Sequence, residues 1–290
     1  MDDREYLTRQ FEAHRVHLRS VAYRMLGSLS DADDAVQESW VRLNRVDTSA
    51  VENLGGWLTT VVARVSLDML RARRARGEEP LGPRVPEPIV SREDGMDPEH
   101  EALLADSVGL ALLVVLETLN PAERLAFVLH DMFAVPFDEI APILDRSPAA
   151  ARQLASRARR RVQAAAPAPD TDVARQREVV DAFLAAAREG DFDALIAVLH
   201  PDVLLRVDRG PLPLGASREV RGAEDVIEQA ITFARLAAFA RPALVNGVAG
   251  FVVARGDRTL AVAGFTVTDG RIVEIDLLAD PARLREIQWR

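Results

Sequence analysis

The sequence predicts a multidomain protein in which two all-α segments precede an α+β domain. Apolar residues recur at helical spacing over most of residues 5–75 and 98–163, whereas strand-like runs occur only in residues 173–290. Residues 76–97 and 164–172 contain Pro, Gly or charged residues without helical periodicity, and they are interpreted as linkers. A chain of 290 residues is long enough for three such domains.

The first segment is predicted to contain three helices. The first helix ends at Gly27-Ser28, because glycine is favoured just after a helix C-terminus. Ser30 is predicted to cap the second helix, and the third runs from about residue 53 to Arg74. The first turn of the second helix is acidic, which the helix dipole favours. A docking face for a basic protein surface is the alternative interpretation of these residues, Asp31, Asp33 and Asp34.

The second segment contains a predicted helix-turn-helix between Asn120 and Arg161. Apolar residues at helical spacing are followed by a tight turn, and Ser147-Pro148 supplies an N-cap and a proline at the first helical position. The next helix carries no acid and five arginines, at positions 152, 157, 159, 160 and 161. The whole chain has a net charge of −9. The positive charge of this helix, in a chain of negative net charge, indicates a polyanionic partner, and nucleic-acid phosphate is the simplest one.

A second basic element ends the first segment, with arginines at positions 64, 71, 73, 74 and 76. Two basic helices joined by a flexible linker suggest contact with DNA at two places. A solvated helix end is the alternative interpretation of the first. In the second, Arg152 and Gln153 lie near the helix start, where they could reach base edges.

The third segment is predicted to be α+β. Helices are expected at residues 173–189, 193–199 and 223–239, and strands at 203–207, 250–254, 259–267 and 272–278. An Asp-Gly pair, Asp269-Gly270, lies between alternating apolar residues and predicts a hairpin between the last two strands.

Composition excludes several classes of protein. The chain has no cysteine, so it contains no disulfide, cysteine–zinc site or thiol nucleophile. The N-terminus is charged and does not resemble a secretory signal, and the longest apolar run, 110–116, is too short to cross a membrane. No metal-ligand spacing, phosphate loop or nucleophile elbow occurs. We therefore expect a cytoplasmic protein with no cofactor, no metal and no membrane partner.

Three blocks resemble the extracytoplasmic-function sigma factors of bacterial RNA polymerase. DADDAVQESWVRL and GGWLTTVVARVSLDMLRARR are similar to sigma domain 2, a bundle of three or four helices, and the block at 120–161 is similar to sigma domain 4. The resemblance implies a protein that is not an enzyme. It implies instead binding to core polymerase, through the clamp helices of the β′ subunit and the β flap, and promoter-specific initiation of transcription.

The resemblance also implies roles for individual residues. Those that match the segment gripping the clamp helices are Asp31, Asp34, Gln37 and Glu38. Those that match the helix reading the −10 element are Trp57, Arg64, Asp68, Arg71, Arg73 and Arg74. Those that match the −35 recognition helix are Ser147, Arg152, Gln153, Arg157 and Arg160. Trp57 has two interpretations, a core residue or a stacking platform for an unpaired base.

The linker and the third segment resemble a subgroup with a fused SnoaL-like, or ketosteroid-isomerase-like, cone. Val85-Pro86-Glu87-Pro88 resembles the subgroup's linker motif, and residues 208–211 and 280–284 stand at two further motifs in degenerate form. Regulation in cis is expected from this fusion. The residues expected to take part are Pro86, Glu87, Pro88, Asp208, Asp280, Pro281 and Leu284.

Such a cone encloses a pocket, which leaves an unidentified small-molecule ligand or a reaction as open alternatives. General-base candidates are His200, Asp202, Asp208 and Asp276. The main alternative for the whole chain is a helix-turn-helix regulator that acts without polymerase and carries a small-molecule-binding or isomerase-like domain.

Overall fold

The computed structural model of the protein describes residues 3–46, 51, 53–77, 84–92, 109–165, 167, 169–210, 217–287 and 289. The chain divides into two compact units, Met1–Glu79 with Val115–Ala165 and Pro80–Val114 with Ala166–Arg290. The predicted linker is thus largely a part of the second unit. Within the described ranges, no helix combines the length and the apolar character needed to cross a bilayer.

The first unit is helical, as predicted. Its N-terminal part consists of three helices: α1 (Asp3–Leu26), α2 (Leu29–Leu43) and α3 (Leu54–Ala75). Helix α4 (Leu110–Thr118) begins in the second unit and ends in the first. Three helices follow it: α5 (Pro121–Phe127), which continues as a π-helical turn (Val128–Met132), α6 (Phe137–Leu144) and α7 (Pro148–Ala165).

The start of α2 corrects one prediction. Gly27 has a φ of +69° and ends α1 as expected. The N-cap of α2, however, is Ser28 rather than Ser30, and the Ser28 hydroxyl accepts a hydrogen bond from the Asp31 N–H at 3.3 Å. Ser28 has the extended backbone that a cap requires, whereas Ser30 already lies inside the helix. Because Gly27 in its left-handed conformation ends α1, the next residue, Ser28, is the N-cap of α2.

The helix-turn-helix is formed by α6 and α7. Helix α6 ends at Asp145, whose φ of +55° is left-handed and turns the chain sharply. Helix α7 packs through Ala151, Ala155 and Ala158, which are fully buried at positions i, i+4 and i+7. Small side chains on this stripe let α7 approach its neighbours closely, so that its long arginines lie on the outside.

In the described residues of the second unit, seven strands form one sheet in the order β1-β4-β5-β6-β7-β2-β3. Neighbouring strands are antiparallel except for β2 and β7, which are parallel. The strands are β1 (Val90–Ser91), β2 (Leu199–Asp208), β3 (Arg218–Arg221), β4 (Ala240–Val245), β5 (Val248–Arg255), β6 (Arg258–Thr268) and β7 (Arg271–Leu278). The helices are α8 (Val173–Glu189), α9 (Phe192–Val198), α10 (Ala223–Thr232) and α11 (Ala234–Ala237), and a 3-10 turn (Arg283–Arg285) follows β7.

The β6–β7 hairpin has the predicted turn, with Asp269 and Gly270 both at positive φ. The single helix predicted at 223–239 is wrong, because the chain breaks at Phe233 into α10 and α11. Strand β4 was not predicted, and its sequence contains Pro242, a residue that is rare inside strands. This proline lies beyond the two β4 residues that pair with β1, so its missing N–H interrupts no bond to that strand.

The core of the second unit lies between one face of the sheet and its helices. Three aromatic side chains form its centre, with ring centroids 5.5 Å apart for Phe183 and Phe265 and 5.4 Å apart for Phe251 and Phe265. Helix α8 supplies the first ring and strands β5 and β6 the other two. This packing leaves a cavity between the sheet and the helices, which is described below.

Candidate functional site

Helix α3 presents the residues predicted to read the −10 element. Arg64, Asp68 and Arg71 are exposed and follow one another at helical spacing, with the Asp68 and Arg71 side chains 4.0 Å apart. Trp57 lies two turns before Arg64 and is half-buried. A spacing of seven residues places Trp57 and Arg64 on the same face of the helix. Arg74, at the end of the helix, is exposed.

Arg73 differs from these residues, because it is half-buried and forms an ion pair with Asp31 of α2. This pair joins the end of α3 to the start of α2. A residue predicted to contact DNA is therefore bound to a residue predicted to contact polymerase. Of the other residues predicted to bind polymerase, Asp34 and Gln37 are exposed. Glu38 accepts a hydrogen bond from Arg42 at 2.9 Å.

Helix α7 presents the residues predicted to read the −35 element. Its N-cap is Ser147, whose hydroxyl accepts a hydrogen bond from the Ala150 N–H at 3.2 Å. The side chains opposite the buried alanine stripe are exposed, and they include Arg152, Gln153, Arg157 and Arg160. The Arg152 guanidinium lies 5.2 Å from the centroid of the Phe137 ring, which orients it at the start of the helix.

Two acids, the buried Glu123 and the more exposed Asp131, neutralise part of the positive charge of α7. Glu123 is 4% exposed, accepts a hydrogen bond from Arg161 at 3.0 Å and forms an ion pair with Arg157 at 3.2 Å. Arg159 donates to Asp131 at 2.7 Å. Among the described residues, Arg152 and Arg160 form no ion pair with an acid, so they carry the charge of α7 that is most available to a phosphate.

Inside the first unit, the two predicted DNA-reading parts contact each other. Arg124 of α5 is buried and donates to the Met25 carbonyl at 2.7 Å. Arg64 donates to the Pro142 carbonyl of α6 at 3.0 Å. A residue predicted to contact −10 DNA therefore contacts the leading helix of the helix-turn-helix. Sequence analysis missed Arg124, since nothing local distinguishes a buried arginine from an exposed one.

The linker segment Arg84–Arg92 is extended, as predicted, but residues 85–91 are buried in the second unit. The Val85 N–H donates to Asp208 Oδ2 at 3.0 Å, and the Val85 carbonyl accepts from Arg283 at 2.6 Å. Asp208 and Arg283 form an ion pair at 2.7 Å. The N–H and the carbonyl of Val85 are thus hydrogen-bonded to Asp208 and Arg283, and these two side chains are also paired with each other.

Four residues further along the chain, Asn246 holds the linker a second time. The Ile89 N–H donates to its side-chain oxygen at 3.0 Å, and the Asn246 N–H donates to the Ile89 carbonyl at 2.8 Å. Strand β1 then pairs with β4. We call the set Asp208, Arg283 and Asn246, with the linker residues Val85 and Ile89 that they hold, the linker latch. Asn246-Gly247 is a turn dipeptide, which sequence analysis could have noticed.

The remaining predicted regulatory residues surround the latch. Pro86, Glu87 and Pro88 are buried. The Asp280 carboxylate accepts a hydrogen bond from Ala282 N–H at 2.9 Å. This carboxylate lies so close to Gly210 that a Cβ there would approach it to 2.7 Å. Leu284 is buried, Pro281 is exposed, and Pro211 lies outside the described residues.

On the face of the sheet opposite the core, Arg206 joins three acidic side chains. It donates to Glu274 at 3.1 and 3.2 Å and to Asp276 at 3.1 Å, and it lies 3.4 Å from Glu219. Burial raises the pKa of Asp276 to about 6, although the Arg206 charge acts in the opposite direction. Burial alone would lower the pKa of Arg206, but the charges of Asp276 and Glu274 raise it overall.

The cavity of the second unit is lined almost entirely by apolar side chains. None of the four general-base candidates lines it. Ile275 and Leu277 face the cavity, so the intervening Asp276 points to the opposite side of the strand. Among the described lining residues only Gln229 is polar, and none is titratable. No three His, Cys, Asp or Glu side chains of the described ranges group as a metal site would require.

Comparison with known proteins identifies relatives of the whole chain. The Sigma-70 region 2 family matches residues 10–76, and the Sigma-70, region 4 family matches residues 109–162. The sequence is 42% identical over 286 residues to the ECF RNA polymerase sigma factor SigJ of Mycobacterium tuberculosis, covering 94% of this chain and 91% of the relative. It is 34% identical over 298 residues to the probable ECF RNA polymerase sigma factor SigI of the same species, covering 98% and 97%.

A solved structure agrees with these sequence matches. The crystal structure of Mycobacterium tuberculosis SigJ superimposes with a TM-score of 0.78 at 40% identity, covering 95% of this chain and 97% of that chain. The similarity therefore extends through the helical first unit and the α+β second unit.

The Asp276 cluster predicts a pH dependence of stability. The folded protein holds the Asp276 proton more tightly than the unfolded chain does, because the folded pKa of about 6 exceeds the ordinary aspartate pKa of 3.8. Its contribution to stability therefore falls as the pH rises from about 4 to about 6. Relative to the wild type, Asp276→Asn should gain up to about 3 kcal/mol in free energy of unfolding between pH 4 and pH 7.

Urea unfolding across this pH range measures the difference between the variant and the wild type. The exposed Asp202→Asn on the neighbouring strand β2 is the matched control. A difference for Asp276→Asn that stays constant from pH 4 to pH 7 would contradict the prediction.

Proposed function

This chain belongs to the extracytoplasmic-function sigma factors of bacterial RNA polymerase, and we propose that its C-terminal SnoaL-like domain regulates transcription initiation in cis by holding the linker. The observation that carries the proposal is the double hold on Val85, whose N–H and carbonyl are bound by Asp208 and Arg283. The protein directs promoter-specific initiation as a subunit of the polymerase. The linker latch controls whether its linker is free to extend along the polymerase.

In this proposal each sigma domain has its own partner. Residues 5–75 act as domain 2, which binds the clamp helices of the β′ subunit through the α2 surface and reads the −10 element with α3. Residues 98–163 act as domain 4, which binds the β flap and reads the −35 element with α7. The exposure of Asp34, Gln37, Arg64 and Arg160 supports these roles. We place this activity in the cytoplasm, where bacterial polymerase and promoter DNA meet.

The contact between α3 and α6 supports a resting state that must open. The two promoter elements are about 25 base pairs apart, which corresponds to about 85 Å along B-DNA. Arg64 contacts the Pro142 carbonyl, and from Pro142 to the far end of α7 the chain reaches at most about 50 Å. The first unit cannot engage both elements in this arrangement, so promoter binding requires its two halves to separate.

The latch supports regulation by competition for the linker. Residues 85–91 are buried in the second unit, and two of their backbone N–H groups are bonded to side chains of Asp208 and Asn246. A linker that extends along the polymerase surface between the two promoter elements cannot keep these bonds. Docking in the latch and engagement of polymerase therefore exclude each other, and the stability of the latch sets the fraction of active chains.

We further propose that the second unit has no catalytic activity. A general base must lie within hydrogen-bond reach of its substrate. His200, Asp202, Asp208 and Asp276 are all absent from the cavity lining, and Asp208 and Asp276 are bound by arginines. This separation of acids from the cavity supports a regulatory domain rather than an isomerase.

The −35 assignment predicts different roles for two adjacent arginines. In the holoenzyme, Arg160→Ala should reduce the salt dependence of promoter binding, lowering the slope of log K against log salt by about one, because it removes an unpaired cation. Arg159→Ala is the matched control, since Arg159 is already paired with Asp131. Filter binding of a promoter fragment at several salt concentrations measures both slopes. Equal slopes for Arg160→Ala and the wild type would contradict the assignment.

The latch predicts a gain of transcription when Arg283 is changed. Arg283→Met removes the bonds to Asp208 and to the Val85 carbonyl, and each charged hydrogen bond contributes about 1.5–3 kcal/mol. The ratio of docked to released linker should fall at least about tenfold. Run-off transcription with purified core polymerase, on the DNA upstream of the protein's own gene, should then give more transcript at limiting sigma factor.

Arg285→Met is the matched control, because Arg285 is exposed on the same 3-10 turn. Trypsin cleavage after Arg84 reports the latch directly and should accelerate only in Arg283→Met. The proposal is wrong if both variants match the wild type in transcript yield and in cleavage rate.

A further inference from the structure

A cavity of about 120 Å³ lies in the second unit between the sheet and helices α8, α10 and α11. Its walls include the aromatic rings of Phe183, Phe251 and Phe265 and the side chains of Leu205 and Ile275. These residues are buried in the core. The floor of the cavity is thus part of the core, and its other side is partly open towards the surface.

Small side chains keep this space open. Protein interiors leave few voids larger than a water molecule, and an unfilled void in a core is destabilising in proportion to its volume. Yet six alanines line this cavity, at positions 187, 230, 237, 261, 263 and 279, where larger apolar residues would fill it. A destabilising void that is lined by several small residues indicates an occupant.

The lining determines the chemistry of that occupant. Gln229 is the only polar side chain among the described lining residues, and its carbonyl oxygen already accepts a hydrogen bond from Arg218. A charged group would lose its hydration there without gaining a partner. Ordered water needs two to four polar partners, and an engineered apolar cavity of about 150 Å³ stays dry and binds benzene. The lining therefore excludes ions and favours an uncharged apolar molecule.

The break between α10 and α11 provides the entrance. Phe233, Leu236 and Leu260 line the cavity and are half-exposed, whereas the aromatic residues of its floor are buried. Phe233 is the residue at which the helix is interrupted. An apolar molecule can enter here by displacing only these side chains, while the sheet stays in place.

We propose that this cavity is a binding site for an uncharged apolar molecule with the size of one substituted ring. One wall of the site adjoins the linker latch. Ala279 lines the cavity, and its N–H donates to the carbonyl of Asp208 at 2.7 Å. Binding at this site does not depend on the proposed regulation. A bound ligand would contact Ala279, which is hydrogen-bonded to Asp208, the residue that binds the Val85 N–H.

Isothermal titration of the full chain with toluene, ethylbenzene and propylbenzene tests the proposal, with benzoate and benzylamine as charged analogues. The alkylbenzenes should bind saturably, and each added methylene should tighten binding about fourfold until the cavity is full. The charged analogues should not bind. Saturable binding by no alkylbenzene, or equal binding by benzoate or benzylamine, would overturn the proposal.

A matched pair of variants locates the site. Ala187→Leu fills the cavity from α8 and should weaken alkylbenzene binding at least about tenfold, whereas Ala185→Leu is exposed on the same helix and should leave it unchanged. Ala230→Leu on α10 fills the cavity independently, in case Ala187→Leu does not fold. Wild-type affinity in the filled variants would place the ligand elsewhere and refute the site. Run-off transcription is a separate readout, so failure of the ligand site and failure of the latch are distinguishable.

Discussion

The Asp208 carboxylate is the interaction on which the second unit depends. It is 4% exposed and accepts from the Val85 N–H, the Arg283 guanidinium, the Gly210 N–H and the Ser217 hydroxyl. A buried carboxylate is unfavourable unless it is paired and hydrogen-bonded. These partners belong to the linker, the turn after β7 and the loop after β2, so satisfying one charge brings three distant segments together. Of the three segments, the linker is the one that we propose also extends along the polymerase.

Both units rely on the same kind of contact, in which charged side chains bind backbone groups or opposite charges of a neighbouring segment. In the first unit, the basic surface of α7 is partly neutralised by the buried Glu123, and Arg64 and Arg124 bond to backbone carbonyls of neighbouring helices. In the second, charged side chains bond to the backbone of the linker. Contacts of this kind bury little unpaired charge, so forming them costs little free energy. A competing partner such as polymerase or DNA can replace them with equivalent bonds. The opening proposed above for the first unit would use contacts that are specific and replaceable.

Local signals made part of this structure predictable. The cap at Ser147, the turn before it and the arginines of a helix that contains no acid predicted the helix-turn-helix, and Asp269-Gly270 predicted the hairpin. The latch was not predictable in the same way, since its bonds join Val85 to residues 123 and 198 positions away. Such pairings leave no periodicity in the sequence. The resemblance of the linker and of the Asp208 and Asp280 stretches to known motifs indicated that they matter, but not that they contact one another.

The most direct test of the account is to lock the linker in place. Val90 and Val245 face each other across β1 and β4, and antiparallel neighbours lie at separations that a disulfide can bridge. The chain has no other cysteine, so Val90→Cys with Val245→Cys forms a single defined crosslink. Run-off transcription with core polymerase should be lost in the oxidised double variant, restored by reduction, and unaffected by either single change. Full activity of the crosslinked chain would show that the linker need not leave the second unit, and would contradict the account.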